Sequence, residues 1–333
     1  MNEPVFLKGV CKDYLWGGNR LRQEFGKESD AELIAESWEL SCHPDGCCVV
    51  MNGRDAGLTL TEYMEKYGAE RILGANCHGV ENVPLIKLID AKEPLSVQVH
   101  PDDAYARAHG DTNGKTEMWY IVDAEPDAKL VYGVNRALTR EGFARHIADG
   151  TLEEILNEVP VKKGDVFFIP AGTLHAIGKG ILLAEVQQNS NLTYRVYDYN
   201  RRDAEGNLRE LHIEDAVAVT DLVPVSEAYP HGDSEDIKST WGTMRILSVC
   251  RHFAATCYTV TQQLGFTRMD SFRHLLVLEG EGILKTECGE YPLKKGGSVL
   301  LPAGMGGYWI DGHIRFIETF CPDIEEQKMK TEE

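Results

Sequence analysis

Along most of this chain the apolar positions fall in short runs rather than at helical spacing. Val, Ile, Leu and Phe gather in stretches closed by Gly, Pro or Asp, as at Leu130–Val134, Asp165–Ile169, Gly180–Val186, Leu275–Leu278 and Ser298–Leu301. Strand-sized runs between turn formers predict many strands joined by tight turns, and none approaches the ~20 residues of a membrane span. Helical signals are fewer but carry start signals. Thr59 with Glu62, and Thr151 with Glu154, fit the S/T-x-x-E capping box. The stretch Thr139–Glu158 therefore predicts one or two helices inserted into a mainly β chain, and Asp102 and Asp103 after Pro101 read as N-caps for a helix over Ala104–His109.

Residues 226–240 are polar, turn-rich and without periodicity, which predicts a boundary between two domains, 1–235 and 236–333. An internal echo supports two β-barrel domains of one kind. Gly164 to Gly172 and Gly296 to Gly304 share the frame G-x5-P-x-G, a turn, a buried strand and a Pro-Gly corner. The first copy continues to His175, and the second has Gly307 at the corresponding place. Only the first domain is expected to hold a metal through this element.

Charge narrows the function. The chain has 333 residues with 34 Lys+Arg against 53 Asp+Glu, a net charge of −19. That balance speaks against binding nucleic acid or an anionic membrane, each of which calls for a basic surface. The first residues lack the basic and apolar regions of a signal peptide, and the nine cysteines form no C-x-x-C pair. The expectation is a cytoplasmic protein with reduced thiols. No G-x-x-x-x-G-K-[ST] loop or dinucleotide fingerprint is present.

In Leu95–His100 the alternation has period two, so Leu95, Val97 and Val99 are expected on one face and Ser96, Gln98 and His100 on the other. Polar groups facing the interior of a barrel need a reason, and a divalent cation is one. Glu117 opens an aromatic, β-prone run where a lone buried carboxylate is costly. With His175 after its Pro-Gly corner, Gln98, His100 and Glu117 complete a set of two imidazoles, one carboxylate and one amide. Such a set suits zinc with an open position, and leaves the site near +1 in formal charge.

The strand from Gln98 through His100 to Asp103, the Gly114–Tyr120 segment and the Pro170–Ala176 corner resemble the cupin motifs of type I phosphomannose isomerases. So do Tyr14–Gly18, Ala35–Ser41 and Asn191–Arg201, and the likeness covers residues 14 to about 201. It implies a mainly β chain of two cupin-like jelly-roll barrels with a few short inserted helices, the second metal-free, and one Zn2+ per chain on Gln98, His100, Glu117 and His175. It also implies site roles for Lys87, Lys115, Glu185 and Arg195, and isomerisation of mannose 6-phosphate to fructose 6-phosphate by proton transfer between C1 and C2 through an enediol.

For that chemistry Glu185 is the expected base, a carboxylate desolvated beside Leu182, Leu183 and Val186 and so tuned toward neutral pH. Arg195 offers a bidentate fork for phosphate or enediolate, with Lys87 and Lys115 as point charges on the substrate. Trp119 and Tyr120 read as core. The partner is a small sugar phosphate, and either a monomer or a homodimer fits. Two other readings stand: a non-catalytic cupin that binds a sugar or metal as a sensor, and an iron-dependent oxygenase, for which Gln98 is an uncommon ligand.

Overall fold

The computed structural model describes residues 3–202, 205–225 and 235–323. Its N-terminal module is a sandwich of two antiparallel sheets. One has five strands in the order Leu156–Pro160, Lys129–Val134, His175–Ala176, Val97–Val99 and Tyr194–Tyr197. The other has six, in the order Val166–Ile169, Glu117–Ala124, Ile181–Gln187, Leu85–Ala91, Glu36–Leu40 and Val10–Lys12. Among the described residues the two sheets stay separate, so the expected barrel is an open jelly-roll sandwich.

Both faces of the six-stranded sheet are covered, which is why Ile181–Gln187 and Leu85–Ala91 are buried at every position. Alternation divides each strand between two cores. Ile89, Trp119, Ile121, Ile181 and Leu183 point between the sheets of the module and meet Leu130 and Tyr132. Leu88, Met118, Leu182, Ala184 and Val186 point outward and pack on Leu276, Leu300 and Ile317 of the C-terminal sheet. The outer face of the five-stranded sheet is covered by the inserted helices, through Phe143 of Arg140–Ala148 and Ala216 of Ile213–Val219.

The C-terminal module carries a ten-stranded sheet in which the long strands Arg273–Thr286 and Tyr308–Phe320 pair along most of their length. Val5–Lys8 joins this sheet, with Val5 opposite Leu300 and Phe6 opposite Val299. The sheet thus crosses the expected division at residue 235. Of the expected linker, 226–234 lies outside the described residues, and Ile237–Ser239 is an edge strand.

The two copies of the repeat fold alike. Val166–Ile169 and Ser298–Leu301 are both strands between left-handed glycines, Gly164 and Gly172 in one case, Gly296 and Gly304 in the other. A β-carbon at Gly296 would stand 2.1 Å from the Phe25 carbonyl oxygen, so this turn requires glycine for space as well as for its φ of +81°. The register is also shared. Ile169 lies opposite Glu117 in the first copy, and Leu301 lies opposite Arg273 in the second.

Three local expectations change. Thr59 forms its capping box on the helix Leu60–Tyr67, but Thr151 opens only the short 3-10 turn Leu152–Ile155 and caps nothing with its side chain. Its hydroxyl lies 2.8 Å from His146 Nδ1 instead. Leu95 precedes the regular strand and belongs to the interior core, while Val97 and Val99 belong to the outer one. Asp102 is the side-chain cap of Asp103–Ala108, accepting from Tyr105 N, and Asp103 is the first helical residue.

Candidate active site

Three strands bring the proposed ligands together. His175 and Arg195 both lie opposite Gln98, one on each side. The Pro-Gly corner seats His175 by docking on the same strand, with Gly172 N donating to the His100 carbonyl at 2.8 Å. Glu117 enters from the facing sheet. The ligand atoms of His100, Glu117 and His175 lie within 4.8 Å of one another, and all three residues are buried. Gln98 completes the cluster, its Nε2 3.4 Å from His175 Nε2.

The chemistry of this group fits a divalent metal. His100 Nδ1 is 2.8 Å from the Leu192 carbonyl and His175 Nδ1 2.8 Å from the Thr173 carbonyl, so each ring donates from Nδ1 and turns an Nε2 lone pair toward Glu117. Burial holds both imidazoles neutral, with His175 lowered to about 4. Both Glu117 oxygens lack an aligned hydrogen bond, although Lys115 Nζ lies 2.7 Å from Oε2. Burial raises the Glu117 carboxyl to about 8 in the face of the opposing Lys115 charge. Lys115 Nζ also sits 3.0 Å from His100 Nε2. Lys115, expected as a point charge on the substrate, thus lies against two of the proposed ligands and also lines the neighbouring cavity.

Beside the ligands lies a cavity of about 250 Å³, lined among others by Lys87, Lys115, Glu185, Arg195 and Arg209. Lys87 and Glu185 are cross-strand partners, with Nζ 3.2 Å from Oε2, and Lys87 lies 3.6 Å from Glu36 Oε2. Trp119 Nε1 donates to Glu185 Oε1 at 2.9 Å. Burial pushes the Glu185 carboxyl up, but the charges of Lys115 and Lys87 and the hydrogen bonds from Trp119 and Lys87 outweigh it and hold the group at about 2. This corrects the expectation of a value near neutrality. The neighbours differ as well: Leu182 and Val186 point to the opposite core, and Glu185 shares its face with Leu183.

Arg195 is oriented by Ser96, which accepts from Nε at 3.3 Å, and by the Glu210 carbonyl, which accepts from Nη1 at 2.8 Å. It does not pair with Glu185. The Arg209 guanidinium stands close enough to help lower the Arg195 pKa, after burial. Four cations (Lys87, Lys115, Arg195, Arg209) against two carboxylates (Glu36, Glu185) make the cavity lining positive in a chain of net charge −19. The sequence motifs give no role to Glu36, Ser96 or Arg209. Tyr14 and Glu36 lie within the Tyr14–Gly18 and Ala35–Ser41 motifs, whereas Arg209 has no motif around it. Stacked Tyr14 and Trp16, with ring centroids 5.5 Å apart, also line the cavity.

Fold and site together define a two-module cupin protein with, among the described residues, one buried ligand group of a kind suited to a metal, beside a cation-rich cavity. Residues 5–130 match the model of the phosphomannose isomerase type I catalytic domain, and residues 243–321 that of the mannose-6-phosphate isomerase cupin domain. The chain is 40% identical to mannose-6-phosphate isomerase ManA of Bacillus subtilis, over 95% of this chain and 98% of that protein. It is 38% identical to the mannose-6-phosphate isomerase of Streptococcus mutans, over 95% and 98%. The crystal structure of the mannose 6-phosphate isomerase from Bacillus subtilis superposes with a TM-score of 0.88 at 37% identity, covering 95% of this chain and 99% of that one. This chain belongs to the type I phosphomannose isomerase family.

Proposed function

We propose that this chain interconverts mannose 6-phosphate and fructose 6-phosphate by moving a proton between C1 and C2 through an enediol, with zinc held by Gln98, His100, Glu117 and His175. One observation carries the reading: the cavity that gathers Glu185, Lys87, Arg195 and Arg209 is also lined by Gln98 and Lys115, which lie against the buried two-imidazole, one-carboxylate group. The named activity of full-length relatives supports the substrate pair.

A bound divalent ion supplies Lewis-acid charge for the oxygens at C1 and C2, worth several kcal/mol. Glu185 accepts the proton in this reading. It is ionised at neutral pH, and Trp119 and Lys87 fix its orientation. Arg195 and Arg209 hold the distal phosphate by charge-assisted hydrogen bonds, with Ser96 and the Glu210 carbonyl setting the plane of the Arg195 fork. Lys87 places its charge between the buried carboxylates Glu185 and Glu36 and offsets the cost of burying them.

The test is an assay coupling fructose 6-phosphate formation to mannose 6-phosphate consumption, with and without chelator. Turnover that chelation abolishes and zinc restores is the expected result. A chain that binds sugar phosphate and metal without turnover supports the sensor reading instead.

A further inference from the structure

Lys115 sits on a stretch, residues 113–116, that has no regular secondary structure and leads into the strand that begins at Glu117. Its geometry is nonetheless fixed from outside. Asp103 Oδ1 accepts from Gly114 N at 2.9 Å, and Gln188 Oε1 accepts from Thr116 N at 2.9 Å. The two side chains are joined to each other, Gln188 Nε2 donating to Asp103 Oδ1 at 2.8 Å. The amides on either side of Lys115 are thus held by one side-chain pair, while Lys115 N itself donates to the Pro101 carbonyl at 3.0 Å.

We infer that Asp103 and Gln188 form a clamp that positions Lys115 and Glu117 for metal and substrate, and that Arg251 extends this clamp to the C-terminal module. Gln188 follows directly on the strand that carries Glu185, and its own N–H donates to the Thr116 carbonyl at 3.1 Å. The clamp therefore fixes the ligand-bearing segment relative to the proposed base. Asp103 Oδ2 faces the other way and accepts from Arg251 Nη2 at 2.8 Å. Close packing leaves the segment little alternative: a β-carbon on Gly114 would stand 2.4 Å from the Asp102 carbonyl carbon. Asp103 and Gln188 touch no ligand atom of the buried cluster, so both act through the backbone of 114–116.

The inference rests on the proposed metal-dependent isomerase, and the experiment separates the two. Zinc affinity of the full chain, measured by chelator competition, is read beside kcat and KM for wild type, Asp103→Ala and Asp103→Asn. Supporting organisation around a metal typically accounts for 10- to 100-fold in affinity or activity. Asp103→Ala is expected to lose about that much in both zinc affinity and kcat, with KM changed far less. Asp103→Asn keeps an oxygen for Gly114 N and Gln188 Nε2 and is expected to recover most of the loss. Should Asp103→Ala fail to fold, Gln188→Met tests the same link from its other end. Variants with a lowered melting temperature but wild-type zinc affinity and kcat would overturn the clamp. A wild-type chain that neither binds zinc nor turns over would overturn the isomerase reading itself.

Discussion

Glu185 is the proton acceptor of the proposed reaction, so replacing it by Gln removes that acceptor while keeping the acceptor oxygen for Trp119. The expected outcome is a loss of about 10²–10⁴ in kcat and of solvent exchange at the substrate C2 proton, with zinc content unchanged. Exchange near the wild-type rate would shift the search to Glu36, which shares Lys87. Arg195→Ala and Arg209→Ala each remove a cation proposed to hold the phosphate, and kcat/KM is expected to fall roughly 10- to 100-fold in each. Wild-type kcat/KM in both would free them of that role. His274 offers a pH test away from the cavity. It is fully buried against Ser298, 2.8 Å from Nε2, and burial with the nearby Lys27 charge lowers it to about 3. A histidine depressed in the fold stabilises fully above its unfolded value of about 6.5, and this is lost as pH falls toward the folded value. His274→Gln should therefore lose less melting temperature than wild type between pH 7 and pH 5; equal losses would exclude the effect. The grouping of Gln98 and His100 with Glu117 and His175 was legible because strand alternation left Gln98 and His100 on a face where polar groups need a partner. The state of Glu185 was not, because Lys87 reaches it only through cross-strand register, which one sequence does not display.

At the scale of elements the same four-residue signal had two outcomes. Thr59 accepts from Glu62 N at 3.2 Å and Glu62 Oε2 accepts from Thr59 N at 2.8 Å, whereas the Thr151 hydroxyl is drawn to His146. Thr59→Ala is expected to lower stability by about 1 kcal/mol with kcat intact, as checked by denaturant unfolding and assay. A larger change in kcat than in stability would contradict a purely local cap. Leu95 shows why strand ends are hard to read: two residues before the strand that begins at Val97, alternation no longer dictates the face. The repeat was legible as G-x5-P-x-G, but its deeper correspondence lies in pairing. Glu117 and Glu185 find their counterparts in Arg273 and Glu318, since Glu185 is opposite Trp119 and Glu318 opposite Leu275. In the second module the two counterparts bond directly, Arg273 Nη1 to Glu318 Oε1 at 2.9 Å, with Tyr308 OH 2.9 Å from the same nitrogen. A guanidinium supplies there the positive charge that the first module is proposed to take from an ion.

For the molecule as a whole, composition and punctuation were enough for a mainly β chain of two related modules, because short apolar runs between glycines and prolines have few other solutions. They did not reveal how the modules are joined, since strand partners hundreds of residues apart leave no local trace. Val5 and Leu7 share one core with Leu276, Leu300 and Ile317. Residues 236–333 expressed alone are therefore expected to lack a stable fold, and deletion of residues 1–8 to lower the stability of the full chain. Cooperative unfolding of the isolated segment, seen by calorimetry, would show that it needs no N-terminal strand. The shared sheet also bears on the order of synthesis. Val5 leaves the ribosome early, but its partner Leu300 follows only after a further 295 residues, roughly 15–60 s at translation rates of about 5–20 residues per second. For that interval this strand has one unpaired edge, so the nascent chain is open to capture by chaperones or by a neighbouring chain until the strand Ser298–Leu301 emerges.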